Sequence, residues 1–338
     1  MAVAQDRATE QTFRTTVNVV VAPVTVLDKD GNYISGLEAK DFRLFDNEKL
    51  QDIRVDVSFV PISMVVAVQA NDSVEMLLPT IKKIGPLIEG LVIGTQGEAA
   101  ILAFDHRFRV MQEFTNDGRL LTKGLEKINP GSTSSRMIDT VFESVRMLRR
   151  RPQNHRKILL LITETRDGGS EGRLREALLE AQMHNVIVYT ININRAIGML
   201  TKKMPPPRPD PFPAGARPVP PGAPMTPSTT EALTGYRGQS FNVVPVFVEI
   251  FKQIKGIFID NPAEVITQYT GGREFSFINH RTLEQVVSKL GEELHSQYLL
   301  SYTPNNRDQG GWHDIRVTVT RNAEVRTRYG YWMAAVPY

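Results

Sequence analysis

The chain has 338 residues, 41% hydrophobic and 23% charged, which suits one large or two medium globular domains whose core needs no metal or disulfide staple. It has no cysteine, which excludes disulfides, zinc–thiolate sites and cysteine nucleophiles together. The net charge of +3 is scattered; the densest basic cluster, Arg146, Arg149, Arg150, Arg151, Arg156 and Lys157, closes a predicted helix, where cations suit the macrodipole, so no nucleic-acid partner is expected.

No apolar run approaches the ~18 residues of a membrane helix. At the start, Ala2-Val3-Ala4 fits the A-x-A pattern of a signal-peptidase site, without the charged and apolar regions that precede one. A mature secreted protein with a new Met1 and a plain polar, disordered terminus over 1–12 both satisfy this pattern. From residue 13 the pattern is β-like. FRTTVNVVVAPVTVL (13–27) predicts one bent strand or two short ones broken at Pro23. Asp28 to Asn32 reads as a turn, because a calcium loop would need glycine where Tyr33 stands and glutamate where Ala39 stands. FRLFD (42–46) and IRVDV (53–57) are further strands.

The period changes at Ile62. Residues 62–68 read as a buried strand, and Ile81, Ile84, Ile88 and Leu91 as a helix face. Strands follow over 99–104 and 108–114, then a helix face of Met137, Val141, Val145 and Leu148. Next come a buried strand at 158–162, a helix stripe of Leu174, Ala177, Leu178 and Ala181, and a strand over 186–191. This alternation predicts a doubly wound, mostly parallel α/β sheet covered on both faces. Between Pro205 and Pro227 lie eleven of the 21 prolines, predicting polyproline II or disorder over an insertion at 204–228. Helices are expected over 247–258, over 262–269 before Gly271-Gly272, and along Leu283, Val286, Val287, Leu290 and Leu294. Tyr298 opens a strand to Tyr302, and the alternating runs at 315–319 and 325–331 predict a hairpin around residues 321–324. Chain ends tend to lie close together. Segments 13–59 and 297–335 are therefore expected to form one small β-sandwich, into which an α/β domain over 60–296 is inserted.

Three loops should converge at the carboxyl ends of the parallel strands, where such sheets bind ligands: 69–73, 131–139 and 164–170. Their hydroxyls, amides and acids suit a cation held by oxygens, a hydrogen-bonding partner surface, or helix caps at Asp72 or Ser73, Ser134 or Ser135, and Ser170. Gln69-Ala70-Asn71-Asp72-Ser73 has no glycine, against a phosphate-binding loop. Gly168-Gly169-Ser170-Glu171-Gly172 matches the G-x-S-x-G nucleophile elbow, but five residues separate it from its strand, which ranks a serine hydrolase using Ser170 last. The six histidines show no metal-binding spacing.

An ordered set of segments resembles the von Willebrand factor A (VWA) family, and more narrowly its secreted-type members common in Acidobacteria. These are VVVAPVTVLDKDGNYISGLEAKDFRLFDNEK (19–49), VPISMVVAV (60–68), AILAFDHRFRVMQEFTND (100–117), SRMIDTVFESV (135–145), KILLLITETRDGGS (157–170), QYLLSYTPNN (297–306), HDIRVTV (313–319) and VRTRYGYW (325–332). The resemblance implies a metal-ion-dependent adhesion site: D-x-S-x-S after the first strand, a threonine in the next loop and an aspartate after the fourth strand. By position the motif falls on Gln69, Asn71 and Ser73, the threonine on Ser135 with Thr133 as rival, and the aspartate on Glu164; Asp72 and Asp167 are nearby acids. The first acid is thus an amide and the last is one carbon longer, which implies a degenerate site with no tightly bound metal and leaves Mg²⁺ as an alternative. The resulting expectation is a non-enzymatic, extracytoplasmic interaction or adhesion module. Its partner is a protein contacted through Gln69, Asn71, Asp72, Ser73, Ser135 and Glu164. Self-association through β edges, as a structural assembly subunit, is the alternative.

Overall fold

The computed structural model describes residues 19–56, 60–164, 167, 169–194, 196 and 261–333. The expected tail at 1–12, proline-rich insertion at 204–228 and helix at 247–258 lie outside the described residues.

A six-stranded sheet has the order β10-β9-β8-β5-β6-β7. Its strands are β5 (Ile62–Gln69), β6 (Glu98–Phe104), β7 (Phe108–Thr115), β8 (Arg156–Thr163), β9 (Val186–Asn192) and β10 (Glu274–Ser276), with β7 alone antiparallel. Every side chain of β5 is buried, which explains an apolar run interrupted only by Ser63 before Gln69, where a half-exposed strand would alternate. Met64, Val66 and Val68 face one side, against the 72–93 segment, helix α1 (Gly118–Glu126) and helix α5 (His280–Ser296). Val65 and Ala67 face the other side, against α2 (Met137–Leu148), α3 (Leu174–Met183) and α4 (Pro262–Thr270). The sheet is therefore doubly wound. Each fully buried Val, Leu or Ile contributes roughly 1.5–3 kcal/mol. Helix α4 ends at Gly271, whose φ of +85° is the left-handed conformation glycine adopts without strain.

Two four-stranded antiparallel sheets make the sandwich, in the orders β13-β1-β11-β4 and β14-β12-β2-β3. They comprise β1 (Val20–Leu27), β2 (Phe42–Asp46), β3 (Lys49–Leu50), β4 (Ile53–Asp56), β11 (Tyr298–Tyr302), β12 (Gly311–Val319), β13 (Glu324–Thr327) and β14 (Gly330–Met333). Val24 and Leu300 from one sheet share a core with Leu44 and Val317 from the other. Strands from before and after the α/β unit are neighbours in both sheets.

A charged cluster lies inside this sandwich. Asp46 and His313 are both fully buried, with His313 Nδ1 2.5 Å from Asp46 Oδ1. The Tyr331 and Tyr302 hydroxyls donate to Oδ2 at 2.7 and 2.9 Å, and the Asn306 amide donates to Oδ1 at 3.1 Å. His313 Nε2 donates to the Gln309 carbonyl at 2.7 Å. Burial alone would lift the Asp46 carboxyl, but the bonds from His313, Asn306, Tyr331 and Tyr302 hold it below its usual range. Burial alone would push His313 down, but its bonds to the Asp46 carboxylate and the Gln309 carbonyl raise it.

Two expectations are corrected, one alternative is decided and one strand is added. Pro23 does not break β1: it pairs with Leu299, and the ladder to β13 begins only at Val24. Proline is tolerated where one neighbouring ladder has ended. The helix after β5 is a broken run over 72–93 that closes with a π turn at Ile88–Ile93, leaving Leu91 39% exposed while Val92 and Ile93 are buried. Pro79 and Pro86 interrupt the hydrogen bonding, and the wider turn rotates the apolar face. The C-terminal runs do not form a hairpin: β12 pairs with β14 and β2, while β13 pairs with β1 in the other sheet. The chain crosses between sheets at Arg328 and Tyr329, before Gly330, where a Cβ would lie 2.2 Å from the His313 carbonyl oxygen. Finally, β10 is an edge strand that the apolar pattern did not reveal.

Candidate functional site

Gln69 is the last residue of β5 and is fully buried. Its Oε1 accepts from the Thr163 hydroxyl at 2.6 Å and the Glu164 backbone N–H at 2.9 Å. A backbone N–H can only donate, so the atom facing it is the amide oxygen. The amide nitrogen therefore points the other way, donating to Asn71 Oδ1 at 2.9 Å and Glu164 Oε2 at 2.8 Å. All four hydrogen-bonding positions of the amide are filled. Ser73 Oγ lies within hydrogen-bond reach of the same two acceptors, 2.9 Å from Asn71 Oδ1 and 3.0 Å from Glu164 Oε2. Asn71 Nδ2 donates to the Thr133 carbonyl at 3.3 Å, and Gly131 N–H to the Ala70 carbonyl at 2.6 Å, which ties the 131–133 loop across the top of β5.

The structure thus brings Gln69, Asn71, Ser73 and Glu164 into one network. Asp72 lies outside it, with its side chain exposed and its backbone N–H donated to the Ser132 carbonyl at 3.3 Å. Ser135 is buried beside the site, and its hydroxyl has no hydrogen-bond partner; Thr133 is exposed.

Helix capping differs from expectation. The first residues of α2 are capped not by Ser134 or Ser135 but from the 167–170 loop. Asp167 Oδ1 accepts from Met137 N–H at 2.8 Å, and Ser170 Oγ accepts from Asp139 N–H at 3.2 Å. Asp139 returns the bond, accepting from Gly172 N–H at 2.8 Å and Glu171 N–H at 3.1 Å. Burial raises the Asp167 carboxyl despite these bonds. The Ser170 hydroxyl donates to Asp167 at 2.9 Å, so a carboxylate that caps a helix holds it, with no histidine bonded to it among the described residues.

One acid of this face was not foreseen. Asp105 follows β6 at 1% exposure and accepts from Arg107 N–H at 3.0 Å and Arg109 at 3.3 Å; His106 Nδ1 lies 3.0 Å away. Gly131 passes so close that a Cβ there would sit 1.6 Å from Asp105 Oδ2. An aspartate directly after the apolar run at 99–104, followed by a glycine in the 131–139 loop, is the signal that could have found this pair.

The residues do not fit a Mg²⁺ ion. Such an ion is held by converging oxygens, including carboxylates. Here Gln69 sends N–H groups to the Asn71 and Glu164 oxygens that would have to turn toward a cation. Asp167 is committed to a helix terminus, and no group of three or more His, Asp or Glu among the described residues could hold a metal.

No protein-family model matches the chain, and no curated protein matches it. Among solved structures it is similar to the conserved hypothetical protein BatB from Bacteroides thetaiotaomicron, at 13% identity over 69% of this chain and 98% of that one, with a TM-score of 0.45. It is also similar to the SpRpn10 VWA domain, at 12% identity over 40% and 76% of the two chains with a TM-score of 0.36. A third likeness is to the vWF domain of the type V pili tip protein Mfa5 from Porphyromonas gingivalis, at 14% identity over 31% and 38% with a TM-score of 0.26.

Proposed function

We propose that the chain is a non-enzymatic, extracytoplasmic interaction module of the VWA type, which presents the loops at 69–73, 131–136 and 164–170 to a protein partner without a tightly bound metal. The observation that carries this reading is the Gln69 amide. It bridges two loops by hydrogen bonds where the resembling family uses a carboxylate and an ion, so the loops are organised without a cation. Met76 and Phe108, 52% and 43% exposed, lie at the same end of the sheet and offer apolar contact beside the polar loops. The VWA resemblance supports the extracytoplasmic setting. No helix among the described residues is long and apolar enough to cross a membrane.

Thermal unfolding with Mg²⁺, Ca²⁺ or Mn²⁺ tests the metal-free reading, because a ligand that binds only the native state raises the midpoint. The midpoint is expected to stay unchanged; a rise that is lost in Ser73→Ala would overturn it. The partner surface is tested with a photo-crosslinking side chain placed at exposed Asp72 or at exposed Lys49 on the sandwich. Capture of a protein from Asp72 alone is expected, and equal capture from both positions, or none from Asp72, counts against the assignment.

A further inference from the structure

A cavity of about 340 Å³ lies at the other end of the parallel sheet, where β8 and β9 begin, between the α/β unit and the sandwich. Three cations line it: Arg156, Lys157 and Arg328. None of them is ion-paired among the described residues. Arg156 donates to two neutral oxygens, the Leu294 carbonyl and Gln297 Oε1. Arg328 is 4% exposed, its guanidinium stacks 5.3 Å from the centre of the Tyr331 ring, and its buried Nε has no hydrogen-bond partner. The carboxylate on the lining, Asp56, belongs to an exposed residue. Burial alone pushes the Lys157 amine below its usual range.

An unmet acceptor lines the same cavity. Gln182 donates through its amide nitrogen to the Tyr269 and Gly330 carbonyls at 2.9 and 3.1 Å, which fixes its Oε1 as the other atom. That Oε1 is buried without a partner. Pro23, Ile187 and Leu299 supply apolar wall. Arg156 and Arg328 feel the buried carboxylates of Glu293 and Asp46 at longer range, but none of the three cations has a carboxylate within ion-pair reach among the described residues, and an arginine fork matches a carboxylate. A buried acceptor needs a donor, and the volume suits a small ligand.

We propose that this cavity binds a small organic acid: a carboxylate held by Arg328 with help from Lys157, an apolar body against Pro23 and Leu299, and a hydroxyl donated to Gln182. This site is independent of the carboxyl-end loops and does not rest on their assignment.

The test is calorimetric titration and thermal unfolding of the whole chain with 4-hydroxybenzoate, 3-hydroxyhexanoate, 4-hydroxybenzamide and sulfate. At least one hydroxy acid is expected to bind and raise the midpoint, while the amide and sulfate leave it unchanged. Arg328→Met should weaken acid binding about tenfold or more, with the ligand-free midpoint measured alongside to separate lost binding from lost folding, because Arg328 also acts on Asp46. If Arg328→Met fails to fold, Lys157→Gln decides, and weaker acid binding in that variant is the expected result. The proposal is overturned if neither acid binds at millimolar concentration, if sulfate or the amide gives the same shift, or if the deciding variant keeps full affinity.

Discussion

Two of the molecule's buried polar clusters are built on opposite principles. In the sandwich, Asp46 and His313 place a carboxylate against an imidazole whose other nitrogen already donates to a carbonyl. Both ring nitrogens face acceptors, so the ring is held in its charged form. At the carboxyl end of the α/β sheet, Gln69 does a similar bridging task with a neutral amide whose donors and acceptors are all matched. The sandwich cluster depends on two charges staying charged; the amide cannot titrate. A fold can therefore carry a pin made of two titrating groups in one region and one whose central group does not titrate in the other.

Asp46→Ala separates the two regions most harshly. It removes one acceptor group from His313, Asn306, Tyr302 and Tyr331, and leaves a buried imidazole uncompensated. Urea unfolding should show a loss of about 3–5 kcal/mol. Gln69→Leu is the matched experiment on the other side. It strands the Thr163 hydroxyl and the Glu164 N–H and removes one of two donors from the partly exposed Glu164 carboxylate, which keeps Ser73, so a loss of about 1–3 kcal/mol is expected by the same measurement, with the fall from pH 6 to 9 unchanged.

The smallest effect is the pH dependence itself. His313 is raised above its ordinary 6.5, so its contribution is complete below that value and is lost as pH rises through the folded-state value. Asp46 is lowered from 3.8, so its contribution is complete above that value and is lost as pH falls through the folded-state value. Unfolding midpoints measured from pH 6 to 9 should fall, and the fall should flatten in His313→Gln while persisting in Gln69→Leu. A parallel slope in His313→Gln would show that other groups carry it.

Much of the fold was legible because burial writes long patterns. The apolar runs of β5 and β8 and the stripes of α2 and α5 each repeat over enough residues to fix both type and facing. What was not legible lacks such length or depends on partners. β10 is three residues long and is defined only by its pairing with β9. The runs at 315–319 and 325–331 alternate cleanly, but alternation says which side faces inward and nothing about which strand lies alongside. At the candidate site, the spacing of Gln69, Asn71, Ser73 and Glu164 was readable. The orientation of the Gln69 amide was not, because the Glu164 N–H sets it from 95 residues away. Asp105 and the reciprocal caps between Asp139 and the 167–172 loop were missed for the same reason. Each is a polar group satisfied by a distant segment, and local sequence shows only half of such a bond.

The α/β unit leaves and re-enters the sandwich through β4 and β11, which are antiparallel neighbours, Asp56 opposite Leu299 and Val55 opposite Leu300. Mechanically this makes the unit a side loop. A pull applied between Val19 and Met333 loads the ladders and shared core of the sandwich, while β4 and β11 clamp the two feet of the insert together. The six-stranded sheet would bear no tension until that clamp parted, so the sandwich is the part of the molecule that sets its yield point.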